Sequence, residues 1–343
     1  MIDINGRSFV DRGVTGVQRY AREITSVLSD QTTISPAPHW QNGIRGHLWE
    51  QLILPARIKG LLWSPSNTGP ITVERQVVTI HDMATFEHPE WFDRRFSKAY
   101  QMILPQLSRR VGHILTVSEY SKNRIVSHLG VSPDKITVTP LAASKIFRPI
   151  PLNNYERQLL KLPERYFLMV GALQERKNFR RVLEVWKTWE RTGRPDDLGL
   201  VIIGSRESIF SSFKLDYVPE GVQFMDKVSD EILPKLYSSA VAFLFPSLYE
   251  GFGIPILEAM ACGTPVITSN VTSMPEVADK AALLINPELH VSILQAMQTI
   301  SSDGQLRDEL RVAGLERAQQ FSWERTALQT REVLEQAARR LGI

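Results

Sequence analysis

Short runs of β-branched and aliphatic residues recur along the chain, separated by stretches whose apolar positions fall three or four apart. In the first half the runs are Val77–Ile80, Ile114–Val117 and Ile136–Val138. In the second they are Tyr166–Val170, Leu200–Ile203, Val241–Phe245 and Pro265–Thr268. Runs this short, alternating with helical spacing such as Val17, Tyr20, Ile24, Val27 and Leu28, predict parallel sheets covered by helices, an α/β fold. The stretch 148–164 carries three prolines and interrupts the alternation, so a domain boundary is expected at 150/151. A chain of 343 residues suits two domains of ~150–170 residues better than one core. The last segment repeats Leu328, Val333, Leu334, Ala337 and Leu341 after Trp323, an apolar stripe that must pack against something. No solenoid-period repeat or low-complexity tract is present.

Hydrophobic content of 43% and charged content of 22% fit a water-soluble globular protein. No run approaches the ~20 apolar residues of a membrane span, and the first residues lack the apolar core of a signal peptide. The single cysteine, Cys262, excludes an intrachain disulfide and suits a reducing compartment, so a cytoplasmic protein is expected. Charge is uneven: residues 1–150 carry 18 Lys/Arg against 12 Asp/Glu, and residues 151–343 carry 22 against 25. The first half therefore suits an anionic partner, such as a membrane surface or a pyrophosphate-bearing lipid. No nucleic-acid-binding motif accompanies the basic excess, so nucleic acid is not an expected partner.

The densest chemistry lies in Phe245-Pro-Ser-Leu-Tyr-Glu250-Gly-Phe-Gly253-Ile-Pro255-Ile-Leu-Glu258-Ala-Met-Ala-Cys-Gly263-Thr-Pro-Val. It reads as a buried strand, a glycine turn and a helix opened by Pro255. Gly251 and Gly253 let the backbone approach a ligand, and the helix start offers free N–H groups to a phosphate. Glu250 and Glu258 can face one cleft and accept hydrogen bonds from sugar hydroxyls. Two glutamates alone would also fit a solvated strand–turn–helix corner. The whole string, with glutamate, seven residues and glutamate, resembles the signature of glycosyltransferase family four, retaining enzymes of the GT-B fold.

That resemblance covers essentially the whole chain, from the loop at Gly16 to Phe321-Ser-Trp-Glu324. It implies two Rossmann-like domains facing a central cleft: residues 1–150 for the acceptor, joined by a terminal helix 325–343 crossing back, and residues 151–324 for the nucleotide sugar. It further implies that Glu250, Phe252, Gly253 and Ile254 contact the transferred sugar and Glu258 the nucleotide ribose. After the strand ending at Gly171, the cations Arg176 and Lys177 would neutralise the diphosphate leaving group, an arginine fork beside a point charge. Lys177 stands at the family's lysine position, whereas Ala172 stands where an arginine is usual, and Arg176 substitutes for it. A solvated helix-start pair is the bland alternative.

In the first domain, Gly13 and Gly16 would let a loop close over phosphates, with Thr15 and Gln18 forming a capping box for the next helix. His81 ends a strand at the edge where α/β sheets bind ligands, and the resemblance places it near the donor sugar; a structural histidine is the alternative. Asp82 is either an acceptor contact or a helix cap. Thr116-Val-Ser118-Glu-Tyr-Ser121-Lys122 is similar to a family segment with Ser118 past a strand. The family's glycines are replaced near Ala142–Ala143 and at Asp226, before the base-binding loop at Lys227 and Val228.

Residues 84–113 interleave Arg94, Arg95, Lys98, Arg109 and Arg110 with Trp91, Phe92, Phe96 and Tyr100. A second stretch runs from His47 through Trp49 to Trp63. Both suit docking on an anionic leaflet, or two ordinary helices with aromatic cores. The expected activity is retaining hexosyl transfer, most simply of mannose from GDP-mannose, to a glycan or polyprenyl-linked oligosaccharide in cell-surface polysaccharide assembly. UDP- or dTDP-sugars, or a non-catalytic sugar-nucleotide-binding subunit, are the alternatives. No Asp-x-Asp occurs and the histidines lack ligand spacing, so neither a metal nor another cofactor is expected.

Overall fold

The structure, a computed structural model, describes residues 1–10, 16–28, 31–41, 43–204, 218–226 and 228–343. Asp11–Thr15 and Lys227 lie outside that set, so the capping box at Thr15 and the base-loop contact at Lys227 fall outside the described residues. The chain forms two compact units, Met1–Leu141 with Phe321–Ile343, and Ala142–Gln320.

Unit 1 holds a parallel sheet of six strands: β1 (Ile2–Asn5), β2 (Gln31–Ile34), β3 (Leu61–Ser64), β4 (Gln76–Thr79), β5 (His113–Thr116) and β6 (Ile136–Val138). Their order is β2-β1-β3-β4-β5-β6. Every residue of β3, β4 and β5 is buried, as expected for parallel strands covered on both faces. Val78, Ile80, Leu104, Leu107, Ile114 and Ile125 join sheet and helices in one cluster. The terminal helix Trp323–Arg340 packs here through Trp323, Ala327, Thr330, Leu334 and Ala337. These positions keep helical spacing. Leu328, one residue and ~100° off that line, is 54% exposed, so the expected stripe is displaced by one position there; Leu341 keeps the spacing but caps the helix end and is 40% exposed.

Unit 2 repeats the plan with β7 (Arg165–Val170), β8 (Leu198–Ile203), β9 (Val222–Met225), β10 (Ala242–Phe245), β11 (Val266–Ser269) and β12 (Leu283–Ile285), ordered β12-β11-β10-β7-β8-β9. Phe167, Trp186, Trp189, Leu200, Leu244 and Met297 fill its core. The segment before β7 packs onto this unit: Ile150 and Leu152 donate their N–H groups to the hydroxyls of Ser238 and Ser239, and Phe147 meets Tyr237 edge to face. The change-over therefore falls after Leu141, before the proline-rich stretch.

Leu61–Trp63 closed the stretch read as suiting either docking on a leaflet or an ordinary helix with an aromatic core. They lie instead in the central strand β3, and Trp49 and Trp63 are 1% and 0% exposed. Three apolar residues in a row cannot declare from spacing alone whether they cover a membrane face or a sheet interior.

Candidate functional site

In unit 2 the chain starts at β7, builds outward to β9, then returns to β10 on the other side of β7. The β7/β10 boundary is thus the point where strand order reverses, and loops leaving the carboxyl ends of such neighbours diverge to leave a crevice. The cationic pair and the glycine turn leave β7 and β10 respectively. Register pairing of Ala242 with Phe167 brings together two segments more than 70 residues apart.

After β7, Gly171 takes φ 141°, a value side-chain-bearing residues rarely adopt. A short 3-10 turn, Glu175–Lys177, follows, and Asn178 adopts the left-handed conformation with φ 61° before the helix Phe179–Thr192. Asn178 is buried. Its Nδ2 donates to the carbonyls of Pro246 (3.1 Å) and Pro287 (2.7 Å), tying the turn to the ends of β10 and β12. The Leu248 N–H also donates to the Arg176 carbonyl at 2.7 Å.

Here the sequence reading and the structure part company in one respect. Glu250 had been expected to face a sugar, with Arg176 and Lys177 facing a diphosphate. The structure joins all three: Lys177 Nζ donates to Glu250 Oε1 at 2.6 Å and Arg176 Nη1 to Oε2 at 3.0 Å. Lys177 Nζ also lies 4.3 Å from the centre of the Phe245 ring. Lys177 and Glu250 are each 8% exposed. Burial alone would raise the Glu250 carboxyl, but the Lys177 and Arg176 charges overcome it and hold the group below its ordinary range. Burial pulls the Lys177 ammonium down, Arg176 adds to this, and Glu250 opposes it. The Glu250 shift follows from one carboxylate facing two cations, and the Lys177 shift chiefly from burial; the three side chains together carry a net positive charge.

The turn after Glu250 leads to the helix Ile254–Ala261, capped by Gly253 at φ 105° with no side-chain cap. A Cβ at Gly253 would come 3.1 Å from Ile256 Cδ1, a close contact, but the backbone conformation is what calls for glycine. Pro255 is the helix's second residue and carries no N–H, and the Ile256 N–H bonds to the Gly253 carbonyl. The N–H groups of Gly253 and Ile254 have no intrachain partner among the described residues. An anion at this end would meet both those donors and the helix dipole. Phe252 and Glu258 are buried, and Glu258 accepts a hydrogen bond from the Tyr237 hydroxyl at 3.4 Å. Val228 is half-buried beyond β9.

Behind the turn, hydroxyls leaving β11 fasten it residue by residue. Thr268 donates to Phe245 O, Ser269 to Ser247 O, and Ser273 to both Glu250 O and Phe252 O at 2.9 Å. Thr272 Oγ1 accepts the Glu250 N–H at 3.3 Å. The sequence analysis missed Asn178, Thr272 and Ser273. An asparagine directly before a helix, outside N-cap geometry, was the one available signal.

In unit 1, β1 and β3 mark the corresponding reversal. Gly16 opens the helix Gly16–Val27, and Gln18 bonds back to the Val10 carbonyl. His81, just past β4, is buried and its ring stands edge-on to Tyr20 at 4.9 Å. His81 Nε2 lies 2.8 Å from the Pro65 carbonyl, which can only accept, so Nε2 carries the proton and Nδ1 is the acceptor of the neutral ring. Burial lowers its pKa, against the Pro65 carbonyl and the Asp82 charge. Asp82 Oδ1 accepts the Ala84 N–H at the start of the helix Ala84–Glu87, whose cap position is held by Met83. Ser118 caps the helix Glu119–Leu129 through the Ser121 N–H.

A polar cluster that the sequence did not announce sits beside β1 and β3. Fully buried Glu50 accepts from Asn5 Nδ2 (2.7 Å), Arg7 Nη1 (3.1 Å) and Thr68 Oγ1 (3.3 Å). Arg7 Nη2 donates to His47 Nε2, and burial, with Arg7's charge, pulls His47 down to about 4. Glu50 and His47 fell in the stretch read as suiting either a leaflet or an ordinary helix; their partners lie 18 to 45 residues away, beyond any local pattern.

Comparison with known proteins matches residues 153–317 to the family described as Glycosyl transferases group 1, and residues 70–143 to Glycosyltransferase Family 4. The O-antigen chain mannosyltransferase B of Escherichia coli is 34% identical over 276 residues, spanning 76% of this chain and 70% of that protein. The O-antigen chain mannosyltransferase RfbU of Salmonella typhimurium is 33% identical over 247 residues, 71% of this chain and 65% of the relative. Among solved structures, sucrose-phosphate synthase (tll1590) of Thermosynechococcus elongatus superposes with a TM-score of 0.78 at 21% identity, covering 98% of both chains; the likeness is one of fold.

Proposed function

The chain belongs to glycosyltransferase family four, with the two Rossmann-like domains of the GT-B fold, and from that premise we propose that it is a retaining mannosyltransferase of surface-polysaccharide assembly. The donor in this reading is GDP-mannose and the acceptor a hydroxyl of a glycan or polyprenyl-linked oligosaccharide. The names of the two bacterial relatives support the sugar and the setting. The observation that carries the chemistry is the buried Lys177–Glu250 pair, with half-buried Arg176, beside the start of the helix Ile254–Ala261, which has no side-chain cap.

Breaking the glycosidic bond leaves negative charge on a diphosphate, and a catalyst gains rate from groups aimed where that charge develops. Arg176, Lys177 and the N–H groups of Gly253 and Ile254 are such groups, fixed in advance by Asn178 and the hydroxyls behind the turn. Their positive charge suffices to hold the leaving group in this reading, without a metal or other cofactor. Glu250 keeps the two cations in place and accepts from a sugar hydroxyl, and Glu258 holds the ribose. The departing phosphate takes the acceptor's proton on the face from which it leaves, which preserves the anomeric configuration. On unit 1, His81 accepts a hydrogen bond from a sugar hydroxyl through Nδ1. Exposed Arg94, Arg95 and Lys98 near Phe96, 39% exposed, and Met102, 68% exposed, favour a resting place on an anionic leaflet at the cytoplasmic face.

The donor is tested by thermal shift with GDP, UDP, dTDP and ADP: GDP raises Tm most, and stabilisation by UDP without GDP overturns the donor assignment. His81 adds a pH signature. A histidine whose pKa is lowered stays neutral above its ordinary ~6.5, so its acceptor function is lost only on acidification below that value. The His81 limb of the pH–kcat/KM profile is therefore expected below pH ~6.5 and absent in His81→Asn; an acid limb unchanged by that substitution would remove His81 from the sugar site.

A further inference from the structure

Thr272 stands out on backbone grounds. Its φ is 58°, in the left-handed region, and it is the only β-branched residue there among the described residues. Asparagine and aspartate tolerate this region, whereas a β-branched side chain is strained in it, and glycine would be relaxed. Strain of this kind persists where the surroundings hold it. Here the Thr272 hydroxyl accepts the Glu250 N–H at 3.3 Å, while the next residue's hydroxyl, on Ser273, donates to the Glu250 carbonyl at 2.9 Å. Both backbone groups of Glu250 are thus gripped by two consecutive side chains. The carboxylate so aimed meets Lys177 at 2.6 Å and Arg176 at 3.0 Å. The same device recurs in unit 1, where Asn67, at φ 56°, accepts the His81 N–H at 2.7 Å.

We propose that Thr272 is a positioning residue for Glu250, its strained backbone retained because only that conformation brings its hydroxyl onto the Glu250 peptide. This rests on the reading of Glu250 given above. If the left-handed turn served only to join β11 to the helix Met274–Ala278, glycine would serve better and turnover would not notice.

The test compares Thr272→Ser, Thr272→Ala and Thr272→Gly in the full chain. Three quantities are measured: Tm, GDP affinity by calorimetry, and GDP release from GDP-mannose with octyl α-mannoside as acceptor. Serine keeps the hydroxyl and should hold kcat within about twofold of the original. Alanine and glycine lose it and should lower kcat about tenfold, the order of one hydrogen bond's contribution. GDP affinity should be unchanged in all three, and the Tm of Thr272→Gly should equal or exceed the original. Full kcat in Thr272→Gly, an equal loss in serine and alanine, or GDP affinity falling together with Tm would each overturn the proposal. Glu250→Gln in the same assay separates the two layers. Normal turnover there removes the Glu250 reading and Thr272 with it, whereas impaired turnover beside a fully active Thr272→Gly removes the Thr272 inference alone.

Discussion

Lys177→Ala is expected to lower kcat/KM by ~10²–10³-fold, about 3–4 kcal/mol of transition-state stabilisation, the scale of removing one donor aimed at a developing anion. The magnitude follows from placement. Lys177 Nζ is nearly sealed from water, over the Phe245 ring and against Glu250, so its field is little screened. Once it is gone, Glu250 retains only Arg176 and the cluster loses its net positive charge. Lys177→Arg is not expected to restore the rate, because a planar fork cannot occupy the position of a compact ammonium packed on an aromatic face. The loss should fall on kcat more than on the KM for donor. Near-normal kcat/KM in Lys177→Ala would mean that the diphosphate leaves from somewhere else.

Glu250→Gln carries the second large effect, and it reaches stability as well as rate. The substitution keeps shape and removes the carboxylate that Lys177 and Arg176 share, a defect of about 3–5 kcal/mol when a buried pair is broken. In the original protein the carboxylate's contribution is complete above the ordinary glutamate pKa of ~4.3 and is lost as pH falls through its depressed folded value. In the variant the sign is the same, but the dependence now runs through Lys177 and lies at higher pH. Lys177, already lowered by burial, falls further below its unfolded value without Glu250 to oppose the shift. Between those two values the unfolded chain binds more protons than the folded one, so stability rises with pH. The Tm deficit of Glu250→Gln should therefore shrink as pH rises toward the ordinary lysine pKa of ~10.4, alongside a loss of turnover at every pH. A deficit that does not change with pH would mean Lys177 is not the group left uncompensated.

Much of this site was legible along the chain. The strand–turn–helix of residues 242–261 is local: an apolar run, glycines that free the backbone, and Pro255 just inside a helix each act within a few residues. The predicted strands appear within one or two residues of their observed ends, because a parallel strand buried on both faces is an apolar run whatever its neighbours. Edge strand β2 carries a weaker pattern, three of its four residues, Gln31–Thr33, being polar, and it passed unnoticed, as did edge strands β9 and the three-residue β12. The stretch from His47 to Trp63 failed for the opposite reason. Basic and aromatic residues close in sequence suggested a surface, but two tryptophans turned inward and Glu50 found its partners on β1 and beyond β3.

The sequence by itself determined which chemical groups are present and on what local element each rides: two cations after one strand, two glutamates around one helix start, a histidine at the end of another strand. Only the tertiary structure decided which of them touch. Strand order placed β10 beside β7, so that Glu250 became the counter-ion of Arg176 and Lys177 and not a lone sugar contact. It likewise placed β11 beside β10, bringing Thr272 and Ser273 onto the Glu250 backbone. Hydrogen bonds between parallel strands join backbones irrespective of side chain, so adjacency leaves little mark on the residues themselves, while the charges and hydroxyls at the strand ends depend on it entirely.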